Sequence, residues 1–521
     1  MTHRPLSLRL AQIDLHRHVP RVTYVDALFG RLRAAGYNAV LMAYRDKFPY
    51  ASCPELAAPD AYTAGEVAEI DALARRHALE LVPLGFQFTH SAAITNHPRY
   101  KHLAGDGGLN LLLDESVDVI ARTTRDILRA HPGTRLVHVG GDEMGGIGTR
   151  PAIGRYVREH GASAYYVQFV NKLAATLRAD GARIAIWSDM LIRYPQALGA
   201  LDTSAVVFYW DYWSYGERTP FVSIGGGLPD MFILDWSALH GDLRKLFLAP
   251  WPKPAADLPV EHARRFAPYW QMDAEGQSVR SFPYADWFRD HGFDVIGALT
   301  TYPEKSSFLP DFLGKFSHVR AFAQRLRECG GMGYLSCLWA MHFPLLETVW
   351  PSWVAAAVLM EQPELTDDAV CARTAERLGG HWTPDTVRAY FGAGRDFEAA
   401  DLLAPNWSLK LTLVERMAWL RDAGALEDDM ALCRSSHDRA AALLAGPWRD
   451  VPAGTYERFA LEDMDWRARL QLAWRDGDAA AAAALREEGR ALQGRCAAHL
   501  DAMYRPGDRD DLLASRYAPW L

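Results

Sequence analysis

The sequence predicts an α/β protein: a (β/α)8 TIM barrel followed by an α-helical C-terminal domain. Three observations carry that expectation. From residue 6 to about residue 360, short aliphatic runs alternate with longer amphipathic stretches, the repeat of strand then helix. Eight such runs can be marked off, and no GxGxxG or Walker A turn accompanies them, which favours a closed barrel over a doubly wound sheet. Beyond residue 360 the strand-like runs stop and Ala, Arg, Glu and Leu dominate.

The eight strand candidates, in order, are Leu6–Asp14, Ala39–Tyr44, Leu79–Gly85, Arg135–Gly140, Ala182–Trp187, Ala205–Trp210, Asp294–Thr300 and Tyr334–Trp339. Helical periods fill Tyr24–Ala35, Ala64–His77, Ser116–Ala130, Tyr166–Ala179 and Lys315–Cys329. Thr63 with Glu66 reads as a capping box, in which each residue satisfies a backbone N–H of the other. Residues 211–290 are too long for one βα connection and rich in Trp, Pro and Gly, so they predict an excursion over the barrel mouth. The expected division is a catalytic barrel at 1–360, interrupted by the insertion at about 211–290, and a helical domain at 361–521. Within the latter, DDAVCARTAERL, DDMALCRSSHDRAAALL and GDAAAAAALREEGRALQGRCAAHLDAMY carry the helical period.

Bulk composition narrows the partners. The 521 residues include 56 Lys and Arg against 64 Asp and Glu, a net charge of −8 without long like-charge runs, which argues against nucleic acid. The N-terminal MTHRPLSLRLAQIDLHRH lacks an apolar core of the signal-peptide kind, and no apolar run reaches the ~20 residues of a membrane span. The expectation is therefore a cytoplasmic protein without a membrane partner, with assembly as a homodimer left open. Six dispersed cysteines with no CxxC pair suit free thiols. Seventeen Trp and 21 Tyr supply flat apolar faces with a polar handle, the surface that stacks on sugar rings.

The sharpest local signal is LVHVGGDE, residues 136–143, an apolar strand ending in two glycines and two adjacent carboxylates. Neighbours in a continuous strand face opposite ways, so both acids serve one site only if the strand breaks before them. Gly140 and Gly141 permit that break. A solvated turn in which acids merely follow glycines gives the same letters, but Asp142 and Glu143 fall just past the fourth strand, at the end where TIM barrels place catalysis. Other expressive residues fall at the same end: Asp14 and Arg17 after strand one, Tyr44 and Asp46 after strand two, Gln87 and His90 after strand three. Trp187 and Asp189 close strand five, Trp210 and Tyr212 strand six, Tyr302 strand seven and Trp339 strand eight.

HVGGDE resembles the His-x-Gly-Gly-Asp-Glu signature of family 20 glycoside hydrolases, the β-N-acetylhexosaminidases. AQIDLHRHVPR, MAYRDKFPY, LVPLGFQFTH, IAIWSDM, FYWDYW and LSCLWAMHFPLLE extend the resemblance along the barrel, and together they look closest to the hexosaminidase D branch. The resemblance implies an exo-acting, retaining hydrolase of terminal β-linked GlcNAc or GalNAc. In that scheme the substrate's acetamido oxygen is the nucleophile, an oxazolinium ion forms, and no cofactor or metal takes part. Glu143 matches the acid/base and Asp142 the carboxylate that orients the acetamido group. Tyr302, with Tyr212 as a rival, matches the tyrosine that assists it. Trp187, Trp210 and Trp339 match the indole walls, and Arg17 and Glu347 match residues that bind sugar hydroxyls. Asp46, His90 and Asp189 complete the substrate-binding candidates. The partner implied is a small glycan or amino-sugar glycoside.

Two rivals remain on the residues alone. His16-x-His18 at the end of strand one is where a metal-dependent amidohydrolase places two ligands, although no His ends strands five or six and strand eight ends in Trp339. The other is a barrel that binds amino sugars without cleaving them.

Overall fold

The computed structural model describes residues 6–16, 19–225, 230–239, 253–301, 309–310, 312–339, 346–402, 412–422, 424 and 426–521. Eight parallel strands close into a barrel: β1 (Leu8–Asp14), β2 (Ala39–Ala43), β3 (Glu80–Leu84), β4 (Leu136–His138), β5 (Arg183–Trp187), β6 (Val206–Trp210), β7 (Asp294–Thr300) and β8 (Gly333–Cys337). Each strand pairs with its sequence neighbours, and β8 returns to β1 through Leu8 opposite Gly333. The strands read as nearly unbroken aliphatic runs because helices cover their outer faces while side chains fill the interior. All five residues of AVLMA in β2, for example, are buried.

The helices follow the periods read from the sequence. Thr63 caps the helix Ala64–Arg76: its hydroxyl accepts from Glu66 N while the Glu66 carboxylate accepts from Thr63 N, the expected capping box. Helices Val22–Ala34, Asp114–Ala130, Ala162–Arg178 and Phe316–Glu328 complete the expected set. The insertion is more ordered than a loop excursion. Arg218–Thr219 pairs antiparallel with Val279–Arg280, Phe221–Ser223 and Met231–Ile233 form a small sheet with Lys253–Pro254, and Val260–Trp270 is helical. Phe221, Met231, Ile233 and Leu239 make its apolar centre.

The chain separates into two compact units: 1–16 with 29–300 and 320–337, and 17–28 with 301–319 and 338–521. Helix Leu346–Glu361 therefore groups with the second unit, and the units do not divide at residue 360. Among the described residues beyond 361 all regular structure is helical, including Asp367–Leu378, Leu426–Ala445, Tyr456–Arg475 and Ala479–Met503. Its interior holds a buried charge cluster in which Asp463 accepts from Arg516 and from the Tyr517 hydroxyl at 2.7 Å, with Arg467 at 3.3 Å. A buried ion pair is tolerable only when its remaining valences are met in this way. The six cysteines form no disulfide, and no described helix is long and apolar enough to cross a membrane.

Candidate active site

The break after β4 is where the site begins. Val139 still bonds to the β5 carbonyl of Ala185, but Gly140 and Gly141 take φ of 82° and 100°, a region that L side chains rarely adopt. A Cβ at Gly140 would run into the Gln87 side chain, and one at Gly141 into the Tyr166 hydroxyl and within 2.9 Å of Phe88 Cζ. Only glycine fits either position. The turn is pinned by Tyr166, whose hydroxyl donates to Gly141 O at 2.9 Å, and by Trp187 N donating to Gly140 O at 3.0 Å. Glu143 then carries φ of 53° itself, a costly conformation for a residue with a side chain.

That turn places the two acids in different surroundings. Asp142 is largely buried. Its Oδ1 accepts from the Thr89 hydroxyl at 3.2 Å, and its Oδ2 lies 3.3 Å from Nε2 of His90. The same His90 nitrogen is 3.5 Å from Oε2 of Glu143, whose side chain is 55% exposed. Beneath them Asp189 is fully buried. Its Oδ2 accepts from the backbone N of Glu143 at 2.7 Å and its Oδ1 from the Trp210 indole at 3.3 Å. One carboxylate thus holds both the strained backbone of Glu143 and an indole of the wall.

The charges divide accordingly. Burial opposes ionisation of Asp142, but the hydrogen bond and charge of His90, with backbone help, outweigh it and hold the carboxyl below its usual range. Glu143 is raised, first by desolvation and then by the charge of Asp142, with His90 and Arg193 pulling the other way. Asp189 is pushed up to about 8 by burial and by Asp142, against the Glu143 N–H and Arg193. His90 is raised by its hydrogen bond to Asp142 against the cost of burial. His138, inside the barrel against Trp187 and Phe208, is lowered to about 3 by burial. It stays neutral, and because its Nδ1 accepts from Gly140 N at 3.1 Å, its proton sits on Nε2.

Of the residues expected from the sequence, the structure brings together Asp142, Glu143, His90, Asp189 and Trp210. Trp187 is 1% exposed and packs edge-on against Phe208. Tyr212 lies beside Trp210 and Trp213, with its hydroxyl in reach of the Cys337 thiol. Asp46 sits in the turn Arg45–Lys47 after β2, where its charge acts on the buried Tyr50 phenol and the neighbouring Arg45 acts on His90. Trp339 is half-buried just past β8, and Glu347 accepts from the Tyr24 hydroxyl at 2.8 Å; all three belong to the second unit. Arg17 and Tyr302 lie outside the described residues, as does His18 of the metal-dependent rival. His16 is exposed.

The sequence reading passed over Thr89, Tyr166, Arg193 and Asp230. Arg193, ion-paired with Asp230 of the insertion, is close enough to act on both Glu143 and Asp189. No local pattern announces these residues: each acts through a partner distant in sequence. Among the described residues, His90, Asp142 and Glu143 are the one group with the spacing of metal ligands.

Comparison with known proteins bears on the same segment. Residues 54–222 match the family model described as glycosyl hydrolase family 20, catalytic domain. Human hexosaminidase D is 30% identical over 220 residues, which are 40% of this chain and 45% of that protein. The bovine hexosaminidase D is 29% identical over 198 residues, 36% of this chain and 57% of its own. The chain thus spans about half the length of these curated relatives. Among solved structures, the family 20 β-N-acetylhexosaminidase of Streptomyces coelicolor A3(2) aligns with a TM-score of 0.44 at 17% identity, covering 72% of this chain and 69% of that one.

Proposed function

From a barrel segment that carries the family 20 catalytic-domain match, we propose that the protein is an exo-acting, retaining β-N-acetylhexosaminidase working by substrate-assisted catalysis on terminal β-linked GlcNAc or GalNAc. The observation that supports it most is the opposite displacement of two neighbouring carboxyls: Asp142 is held below its ordinary range and Glu143 above it. Two acids with separated protonation states are what a site needs to keep one charged while the other donates a proton.

In this reading Glu143 protonates the leaving oxygen and afterwards takes a proton from the attacking water. Its half-exposed side chain leaves it open to both partners. Asp142 accepts the acetamido N–H, turns the acetamido oxygen toward the anomeric carbon and steadies the positive charge as the oxazolinium ion forms. The nucleophile belongs to the substrate, so the spacing of protein carboxylates does not set the stereochemistry, unlike in the two-carboxylate scheme. Trp187, Trp210 and Trp339 are assigned to the apolar walls, Tyr212 or Tyr302 to the acetamido oxygen, and Arg17, Asp46 and Glu347 to hydroxyls.

The test is hydrolysis of chromogenic β-GlcNAc, β-GalNAc and β-glucose substrates by wild type, Glu143→Gln and Asp142→Asn, with EDTA present. Release from the acetamido sugars alone, lost by several kcal/mol of transition-state stabilisation in both variants, is the expected result. Equal activity on β-glucose overturns the scheme, because glucose has no acetamido oxygen to attack.

A further inference from the structure

His90, Asp142 and Glu143, besides dividing the charge of the site, have the spacing of a metal-ligand set. Nε2 of His90 lies 3.3 Å from Oδ2 of Asp142 and 3.5 Å from Oε2 of Glu143, and the ligand atoms all fall within 4.8 Å of one another. A tetrahedral ion held at about 2.0–2.1 Å by nitrogen and oxygen sets neighbouring donors about 3.3 Å apart. Two edges of the triangle therefore have the dimensions of a zinc-bound set, and the third, between the two carboxylates, lies within 4.8 Å.

The backbone builds this convergence. His90 and Glu143 both sit at positive φ, 46° and 53°, in a region that non-glycine residues seldom occupy. Asp142 can offer Oδ2 without moving, since Thr89 already holds Oδ1; outer hydrogen bonds of this kind orient ligands at metal sites. One imidazole with two carboxylates suits a borderline ion such as zinc better than magnesium, which takes octahedral oxygen and keeps its waters.

We propose that His90, Asp142 and Glu143 form a reversible inhibitory Zn2+ site, at which bound zinc occupies both carboxylates that act on the sugar. Zinc and amino sugar then exclude each other. The inhibitory half rests on the hydrolase reading above, whereas the binding half rests on the geometry.

The test has two arms. Calorimetric titration of metal-free full-length protein with ZnCl2 compares wild type with His90→Gln, Glu143→Gln and Thr89→Val, each first shown by circular dichroism to be folded. One zinc per chain is expected in wild type, with affinity at least about 10-fold weaker on loss of a ligand and roughly 10-fold weaker in Thr89→Val. In the second arm, saturating ZnCl2 should cut hydrolysis of the chromogenic β-GlcNAc substrate more than about 10-fold by raising KM, EDTA should restore it, and MgCl2 should leave it unchanged. Zinc binding that ignores His90 and Glu143, or saturation without inhibition, overturns the proposal. A rate that rises with zinc also overturns it and makes the metal a cofactor. If wild type cleaves none of the sugars yet binds zinc through these residues, the hydrolase reading and the inhibitory role fall while the site stands.

Discussion

Replacing Asp189 by Asn exchanges one oxygen for an NH2 group at constant volume, and both groups that bond to Asp189 are donors. Glu143 N reaches Oδ2 at 2.7 Å and the Trp210 indole reaches Oδ1 at 3.3 Å. Asn can accept from only one; its NH2 must face the other N–H, leaving a buried donor unmet at about 1–3 kcal/mol. A pH dependence follows from the raised carboxyl. Asp189 titrates near 8 in the folded protein, against an ordinary 3.8. The folded chain thus holds a proton that the unfolded chain has released, and the stabilisation this gives is complete below about pH 4 and lost as pH rises through 8. Between pH 5.5 and 7.5 the wild type gives up roughly 2–3 kcal/mol that Asn, which does not titrate, keeps. The stability of Asp189→Asn relative to wild type should therefore shift in favour of the Asn variant by that amount between pH 5.5 and pH 7.5. Denaturant titrations at the two pH values measure this. A stability gap that stays constant refutes it, showing that Asp189 is ionised throughout. Asp189→Ala, which frees the Glu143 backbone altogether, should also lower kcat roughly 100-fold, since a shift of about 1 Å in a catalytic group costs that much.

Three further outcomes follow from the same geometry. His90→Gln removes the cation that holds Asp142 low, so the acidic limb of the kcat/KM profile should move to higher pH; an unmoved limb separates His90 from the pair. Asp230→Asn strips Arg193 of its partner, and the freed positive charge should lower Glu143, bringing the alkaline limb to lower pH while the acidic limb stays. Gly141→Ala forces a side chain onto φ of 100° and against Tyr166 and Phe88; strain of about 1–3 kcal/mol should appear as a lower melting temperature together with a fall in kcat, and unchanged values of both would mean the turn is not as tight as the barrel suggests.

Much of the barrel was legible because its strands are buried on both faces and so read as continuous aliphatic runs such as AVLMA and VVFYW. Boundaries were less so. The fourth strand, read to Gly140, stops at His138, since the glycines that open the site also end the ladder. The insertion resisted for a different reason: strands of two residues, 60 apart in sequence, such as Arg218–Thr219 and Val279–Arg280, carry no period. In the site, the break after β4 and His90 after β3 could be read from position. Asp189 could be placed at a strand end too, but nothing in WSDM tells a buried anchor from a residue facing substrate. Arg193 and Asp230 meet only through the insertion, whose course the sequence leaves open.

The separation of Asp142 from Glu143 has a cause that lies outside both side chains. In a continuous strand the two would point to opposite faces and neither would feel the other's partners. The glycine turn removes that alternation and lets one imidazole face both acids, at nearly equal distances. Yet the outcome is asymmetric: at Asp142 the hydrogen bond and charge of His90 outweigh burial, whereas at Glu143 desolvation and the charge of Asp142 outweigh the pull of His90 and Arg193. Buried Asp189 amplifies this asymmetry. By keeping its proton near neutral pH it can accept from Glu143 N and Trp210 without adding a second full negative charge below the pair. Were it ionised, like charges packed this closely would raise Asp142 as well, and the division of labour on which the proposed chemistry rests would narrow.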